Sequence, residues 1–334
     1  MTPWERYLST LTGNPVDHPA RIPIVMQFAA EYIGGNYAVF ASDHRVLVEA
    51  NIRCAEDFGF DQLSCISDPY RETAGFGAKI MYRPHGVPEC LAPPLAGITD
   101  YTKFTPPIPE QAERMRDRLD AIRLYRERWA DLYSVMGWVE GPAALAGDVN
   151  DLSEFLMDLM EEPESAAQLL DLCTETSIQF ALAQIEAGAD TIGVGDAICS
   201  QISFRVYEDL IWPRQLRLLS AIKSAGAYVR LHICGQTRHL WPKLIQLPID
   251  ILDCDHMVDL AVARRAFPET VVLAGNHNPV QDIRFGEPSA IREKTMRCRA
   301  EAGERFMVNA GCEIPAGTPI ENLRALCEPL SLKA

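Results

Sequence analysis

Residues 228–267, YVRLHICGQTRHLWPKLIQLPIDILDCDHMVDLAVARRAF, decide how this chain is read. A short apolar run at 228–232 leads into an amphipathic stretch at 237–247, and a second run at 249–253 leads into another at 260–267. Runs of strand length separated by stretches of helical length are β–α units, and crossovers this long join parallel strands. The rhythm continues on both sides. Upstream, a strand at 132–139 precedes helices at 152–160 and 163–187, and a strand at 191–195 precedes a helix at 204–225. Downstream, 271–274 precedes a helix at 287–302, and 306–309 precedes a last helix at 320–330. Gly188, Gly226 and Gly303 fall just past predicted helix ends, where glycine is favoured.

The N-terminal third is less regular. Residues 22–28 read as a strand and 45–58 as a helix, whereas 61–107 are rich in Gly and Pro. A helix at 109–128 carries Glu110, Arg114, Arg116 and Arg118, which suggests solvent exposure. About seven or eight strand–helix units favour closure into a (β/α)8 barrel of the TIM type over an open doubly wound sheet. The expectation is one barrel domain over residues 1–334, with an N-terminal extension in which residues 1–110 include an irregular elaboration. A dinucleotide fold would need a glycine-rich turn straight after the first strand. Gly34-Gly35 lies well beyond Phe28 and does not fit that pattern.

Composition narrows the class. The chain has 334 residues, 48% hydrophobic and 23% charged, with a net charge of −15. That acidity argues against a nucleic-acid partner, which would need clustered Lys and Arg. No run of about 18 apolar residues is present to span a membrane, and Met1-Thr2-Pro3-Trp4-Glu5-Arg6 has no signal pattern. Ten cysteines without the density of a small secreted scaffold read as cytoplasmic thiols, a few of them available to a metal.

In a parallel barrel the chemistry gathers at the C-terminal ends of the strands. The polar residues there are Glu140, Asp196, His232 with Cys234, Asp253 with Cys254, Asn276, and Asn309 with Cys312. Residues 232 and 234 point the same way if the strand continues. One imidazole and two thiolates form a borderline-soft set suited to zinc, and three protein ligands leave a fourth position open for catalysis. Cys254, with His256 close by, competes as a ligand on the same grounds, and buried cysteine is also common simply as packing. Asp196 either orients a substrate or acts as acid or base, or else caps a helix. Glu140 reads as a carboxylate in the site or part of a turn, Asn276 as a ligand donor or turn residue, and Asp68 before Pro69 as a turn former. Cys54, Cys173, Cys298 and Cys327 lie inside predicted helices and read as core.

Several motifs together resemble the uroporphyrinogen decarboxylase superfamily, within it the cobalamin-linked methyltransferase branch. They are Gly193-Val194-Gly195-Asp196, the helix with Trp212-Pro213, and His232-Ile233-Cys234-Gly235-Gln236-Thr237. Leu273-Ala274-Gly275-Asn276, Asn309-Ala310-Gly311-Cys312-Glu313-Ile314-Pro315, Gly317-Thr318-Pro319 and Glu321-Asn322 complete the set. The resemblance implies zinc on His232, Cys234 and Cys312, and disfavours Cys254. It also implies a corrinoid such as methylcobalamin as co-substrate, carried on a separate corrinoid protein, and a small methyl donor or acceptor of thiol, methoxy or methylamine type. Asp196, Glu140 and Asn276 are then candidates to orient substrate or donate a proton. The decarboxylases carry an Arg near the first strand where this chain reads Met26-Gln27-Phe28-Ala29-Ala30-Glu31-Tyr32, and a Gly-His-Gly where it reads Gly311-Cys312-Glu313. Ser67-Asp68 still resembles their catalytic aspartate motif, so the alternatives are a metal-independent decarboxylase using Asp68 and a non-catalytic binding protein.

Overall fold

A computed structural model describes residues 1–129 and 131–330. Nine strands are assigned: β1 Gln62–Ser64, β2 Ile80–Arg83, β3 Gly86–Cys90, β4 Ser134–Glu140, β5 Thr191–Gly195, β6 Tyr228–His232, β7 Ile251–Cys254, β8 Val272–His277 and β9 Phe306–Ala310. Seven of them form one curled sheet in the order β1-β4-β5-β6-β7-β8-β9, parallel throughout. Each crossover from β4 onward contains helix, as parallel pairing requires. Among the described residues no helix is long and apolar enough to cross a membrane.

The expectation of a strand at 22–28 is corrected. Residue Arg21 forms an isolated parallel bridge with Val308, and Gln27–Tyr32 is already helical. Pro23 has no N–H to offer a ladder, so pairing is confined to a few bonds. Ile22 N donates to Val308 O (2.9 Å) and Val308 N to Ala20 O (2.7 Å), while Asp61 N donates to Arg21 O (2.8 Å). Residues 20–22 therefore bond to both sides, towards β9 and towards the start of β1. The stretch 61–107, read as irregular, contains β1 and an antiparallel hairpin of β2 and β3. That hairpin pairs with itself and packs on the helix Tyr37–Ser42, with Tyr37 N donating to Pro84 O (3.0 Å).

Register organises the interior. Trp138, Gly193 and Arg230 are paired across β4, β5 and β6, and two residues further Glu140, Gly195, His232 and Asp253 are paired across β4 to β7. Side chains in one such row share a face of the sheet. The intervening row of Val139, Val194, Leu231 and Leu252 faces the helices. The expected exposure of the helix Glu113–Trp129 holds in part: Arg116 on it and Glu110 just before it are exposed, whereas the Arg118 side chain is buried and Arg114 reaches inward.

Candidate functional site

The last inward-facing row delivers the chemistry. His232 ends β6, Cys234 follows it, and Cys312 follows β9 by two residues. His232 Nε2 lies 2.9 Å from Cys234 Sγ and 3.6 Å from Cys312 Sγ, and the two sulfurs are 3.4 Å apart. These separations are on the order of those around a tetrahedral zinc, with Zn–S of about 2.3 Å and Zn–N of about 2.0 Å. His232 Nδ1 donates to Asp253 Oδ2 (3.0 Å), which fixes the ring with Nε2 turned to the thiols. Asp253 is itself held by Arg230 Nε (2.9 Å) and Asn309 Nδ2 (3.2 Å). Burial opposes a proton on His232, but Cys234 and Asp253 outweigh it and raise its pKa. The mutual hydrogen bond of the two thiols, with burial, pushes Cys234 up, and the same bond pulls Cys312 down to about 4 against burial, with His232 assisting.

Beside the thiols opens a cavity of about 190 Å³, lined by Ile24, Met26, Ile66, Val87, Trp138 and Gly195, with Asp68, Glu140, His232, Cys312 and Glu313. The Trp138 indole lies flat against β5: a Cβ at Gly193 would fall 2.3 Å from it and one at Gly195 2.7 Å. Only glycine leaves room for that ring. Glu140 Oε1 accepts from Arg71 Nη2 (2.8 Å) and Trp138 Nε1 (3.0 Å). Its backbone N–H donates to Glu72 Oε1 (2.9 Å). Burial, opposed by Arg71 and reinforced by Glu72, raises the Glu140 carboxyl well above its usual range. Burial likewise lifts Asp148, which feels Glu72 as well, to about 8.

Asp68 also lines the cavity, yet its carboxylate is occupied. Arg114 grips both oxygens (2.8 and 2.7 Å), Ser67 Oγ donates to Oδ2 (2.6 Å), and Tyr70 N donates to Oδ1 (3.0 Å). Burial would raise its pKa, but Arg114 and then Arg71 hold it well below the usual carboxylate range. It is an ion-paired anchor rather than a titrating acid.

The other expected residues lie elsewhere. Asp196 follows Gly195 and so faces the helices. Its Oδ1 accepts from Ala144 N (2.7 Å) at the start of the helix Pro142–Val149, and its Oδ2 from Gln215 Nε2 (2.7 Å). Gly141 makes room for it, since a Cβ there would lie 2.4 Å from its Cγ. Burial raises its pKa to about 6. Asn276 Nδ2 donates to Val258 O (2.5 Å), and Cys298 Sγ donates to its Oδ1 (3.5 Å). Cys254 faces Cys298 on the helix side, away from His232. The sequence reading thus brings together His232, Cys234, Cys312, Glu140 and Asp68, and leaves Asp196 and Asn276 one layer behind. It missed the roles of Arg71, Glu72, Arg114 and Trp138, and underweighted Asp253, whose position at the end of β7 was the available signal.

The chain belongs to the uroporphyrinogen decarboxylase (URO-D) family, whose model matches residues 2–330. Among its relatives is the methylcobamide:CoM methyltransferase MtbA of Methanosarcina mazei, 26% identical over 334 residues, 98% of this chain and 97% of that one. The protein of the same name from Methanosarcina acetivorans is 29% identical, but over 63% of this chain and 61% of its own length. A uroporphyrinogen decarboxylase of Anaeromyxobacter dehalogenans is 23% identical, covering 97% of each chain. In fold, a solved methyltransferase from Methanosarcina mazei superposes with a TM-score of 0.89 at 21% identity, covering 98% of this chain and 97% of that one.

Proposed function

We propose that this protein is a zinc-dependent methyltransferase moving a methyl group between a small substrate and a corrinoid carried on a separate protein. The observation that carries the reading is the convergence of His232 Nε2 with the Cys234 and Cys312 sulfurs, all within 4.8 Å of one another, at the mouth of a small cavity. Two thiols and an imidazole suit zinc, and three ligands leave a fourth position for substrate. Bound zinc supplies Lewis acidity, lowering the pKa of a thiol or polarising a methyl donor. The relatives named for methylcobamide and CoM support the corrinoid and the small substrate, of thiol, methoxy or methylamine type.

The chain's own residues set the stage for that transfer. Asp253 fixes the His232 tautomer and direction. Glu140 faces the substrate from the other side of Gly195. The Asp68–Arg114 pair holds the loop beyond β1 in place. Asp196 and Asn276 act at one remove, fixing the helix Pro142–Val149 and the segment 255–258, rather than touching substrate or cofactor. We infer further that residues 20–24 complete a closed barrel of the TIM type, supported by their bonds towards β9 and β1. We read residues 1–334 as one domain, working where its ten cysteines, all free, stay reduced, as in a cytoplasm.

The decarboxylase reading draws on the decarboxylase relatives and on Asp68 at the cavity wall. The cavity of about 190 Å³ is below the roughly 300–1,000 Å³ of sites that enclose drug-sized ligands. A tetrapyrrole substrate would not fit inside, whereas a corrinoid on a separate protein would need to bring only its methyl group to the residues at the mouth. The deciding experiment is zinc content and methylcobalamin demethylation for the parent and for Cys312→Ala. The expected result is one zinc and thiol-dependent demethylation in the parent, and loss of both in the variant. No demethylation in the zinc-loaded parent, with chelator-insensitive release of carbon dioxide from a porphyrinogen, would overturn the proposal in favour of the decarboxylase.

A further inference from the structure

The cavity beside the thiols has a charge character that the relatives' names do not specify. Three carboxyl groups line it, Asp68, ionised against Arg114, and Glu140 and Glu313, both raised by burial, and no Lys or Arg does. The two guanidinium groups nearest to it are consumed. Arg114 is bound bidentate by Asp68, and Arg71 is shared between Glu140, Glu72 (3.7 Å) and the Asp68 carbonyl. Arg71 and Arg114 thus face Asp68, Glu72 and Glu140, and burial raises Glu72, Glu140 and Asp148 above the usual carboxylate range, so neither guanidinium is left over for a ligand.

Within this set, Glu140 has an oxygen to give. Its side chain is nine-tenths buried. Arg71 and Trp138 both bind Oε1, and Oε2 accepts no hydrogen bond among the described residues. That free oxygen points past Gly195, where a Cβ would come within 3.3 Å of it. Gly195 is flanked by Glu140 on β4 and His232 on β6, so the oxygen and the thiol cluster lie on opposite sides of one glycine. The indole of Trp138 lines the same space. A carboxylate oxygen beside an aromatic face is the pairing that recognises ammonium groups.

We propose that the small substrate of this protein carries a cationic amine head, bound by Glu140 Oε2 against Trp138, rather than an anionic one. This rests on the methyltransferase reading for the identity of the cavity as the substrate site. An anion such as a sulfonate would find no unpaired cation in this lining and would be desolvated without a partner, whereas an ammonium at Oε2 favours the ionised form of Glu140 that burial opposes.

Three thiols of matched length test it: 2-mercaptoethylamine, 2-mercaptoethanol and 2-mercaptoethanesulfonate, the last being CoM. Their affinities for the zinc-loaded protein are read by calorimetry, which requires no methyl transfer. The expected order is amine, then alcohol, then sulfonate, with the amine favoured over the sulfonate by about tenfold or more, as a charge-assisted hydrogen bond implies. In Glu140→Gln the amine loses that advantage while 2-mercaptoethanol binds as before, which shows the site intact. Sulfonate binding equal to or tighter than the amine, or a preference unchanged in Glu140→Gln, would overturn the inference and leave the methyltransferase reading standing. Should the protein take up no zinc, that reading fails by itself. The same comparison then runs with ethylammonium and ethanesulfonate on the metal-free protein, and equal binding or no binding of either overturns the inference.

Discussion

Replacing Asp253 by asparagine isolates the part of the site that the sequence made least conspicuous. Asp253 accepts from His232 Nδ1 at 3.0 Å and from Arg230 Nε at 2.9 Å, with its side chain fully buried. Asparagine keeps the shape and one acceptor oxygen but removes the negative charge that sets the imidazole tautomer. Loss of such a partner to a metal-binding histidine costs roughly 10- to 100-fold in metal affinity, or about 1.4–2.7 kcal/mol. A second cost falls on the metal-free fold. Arg230 keeps Gln62 Oε1 (2.8 Å) and Ile22 O (3.1 Å) but loses its only carboxylate partner, leaving a buried cation uncompensated. Breaking a buried pair from one side costs on the order of 3 kcal/mol. Zinc affinity is read by competition with a chromophoric chelator, and stability by urea unfolding of the metal-free protein. Asn309→Ala is the control, because it removes only the bond to Asp253 Oδ1, and its effect on affinity is expected to be severalfold at most. A folded Asp253→Asn protein that binds zinc within twofold of the parent would refute the role given to this carboxylate.

Other perturbations follow from the same geometry. Gly193→Ala drives a methyl into the Trp138 ring and is expected to cost about 1–3 kcal/mol by overpacking, with thiol binding weakened as the indole shifts into the cavity; thermal unfolding and calorimetry check it. Arg114→Gln leaves the Asp68 carboxylate buried and unpaired, at a cost of about 3 kcal/mol, and Asp68→Asn added to it recovers more than half, a coupling read from a double-mutant cycle in urea. Asp148 has a folded pKa of about 8 against an ordinary 3.8, so the folded state holds its proton more tightly than the unfolded chain. The stability this contributes is complete below about pH 4 and is lost as pH rises through about 8. Asp148→Asn should therefore come closest to the parent near pH 4, gain on it as pH rises, and melt a few degrees higher at pH 9; a parallel decline in both would refute it.

The part of the fold legible in the sequence was the part built from repeated β–α units. Strands buried on both faces are written as near-continuous apolar runs, and β5 to β9 all read so, with their polar ends marking the rim. The N-terminal third was less legible for two reasons. Pro23 interrupts pairing within a run that has strand composition, and β1 is only three residues long. The alternation of side chains explains the division among site candidates. His232 and Glu140 occupy one inward row, whereas Asp196 sits one residue beyond it and turns out to cap a helix. Arg114 and Arg118 were hidden because charge on a helix reads as solvent-facing, and Arg71 and Glu72 because they lie in a stretch that reads as irregular; only the fold shows that each has a partner or neighbour of opposite sign.

The β2–β3 hairpin divides the labour of the site in a way that bears on how such proteins diversify. It hydrogen-bonds with itself rather than with the main sheet, rests on the helix Tyr37–Ser42, and brings Val87 to the cavity wall. His232, Cys234 and Cys312 are encoded far downstream, on strand ends that the hairpin does not pair with. The aperture and the reactive centre are therefore written in separate stretches of sequence. Exchanging residues 80–90 alone would recut the entrance and leave the imidazole and both sulfurs undisturbed, so a lineage can change what it admits without reinventing the chemistry it performs.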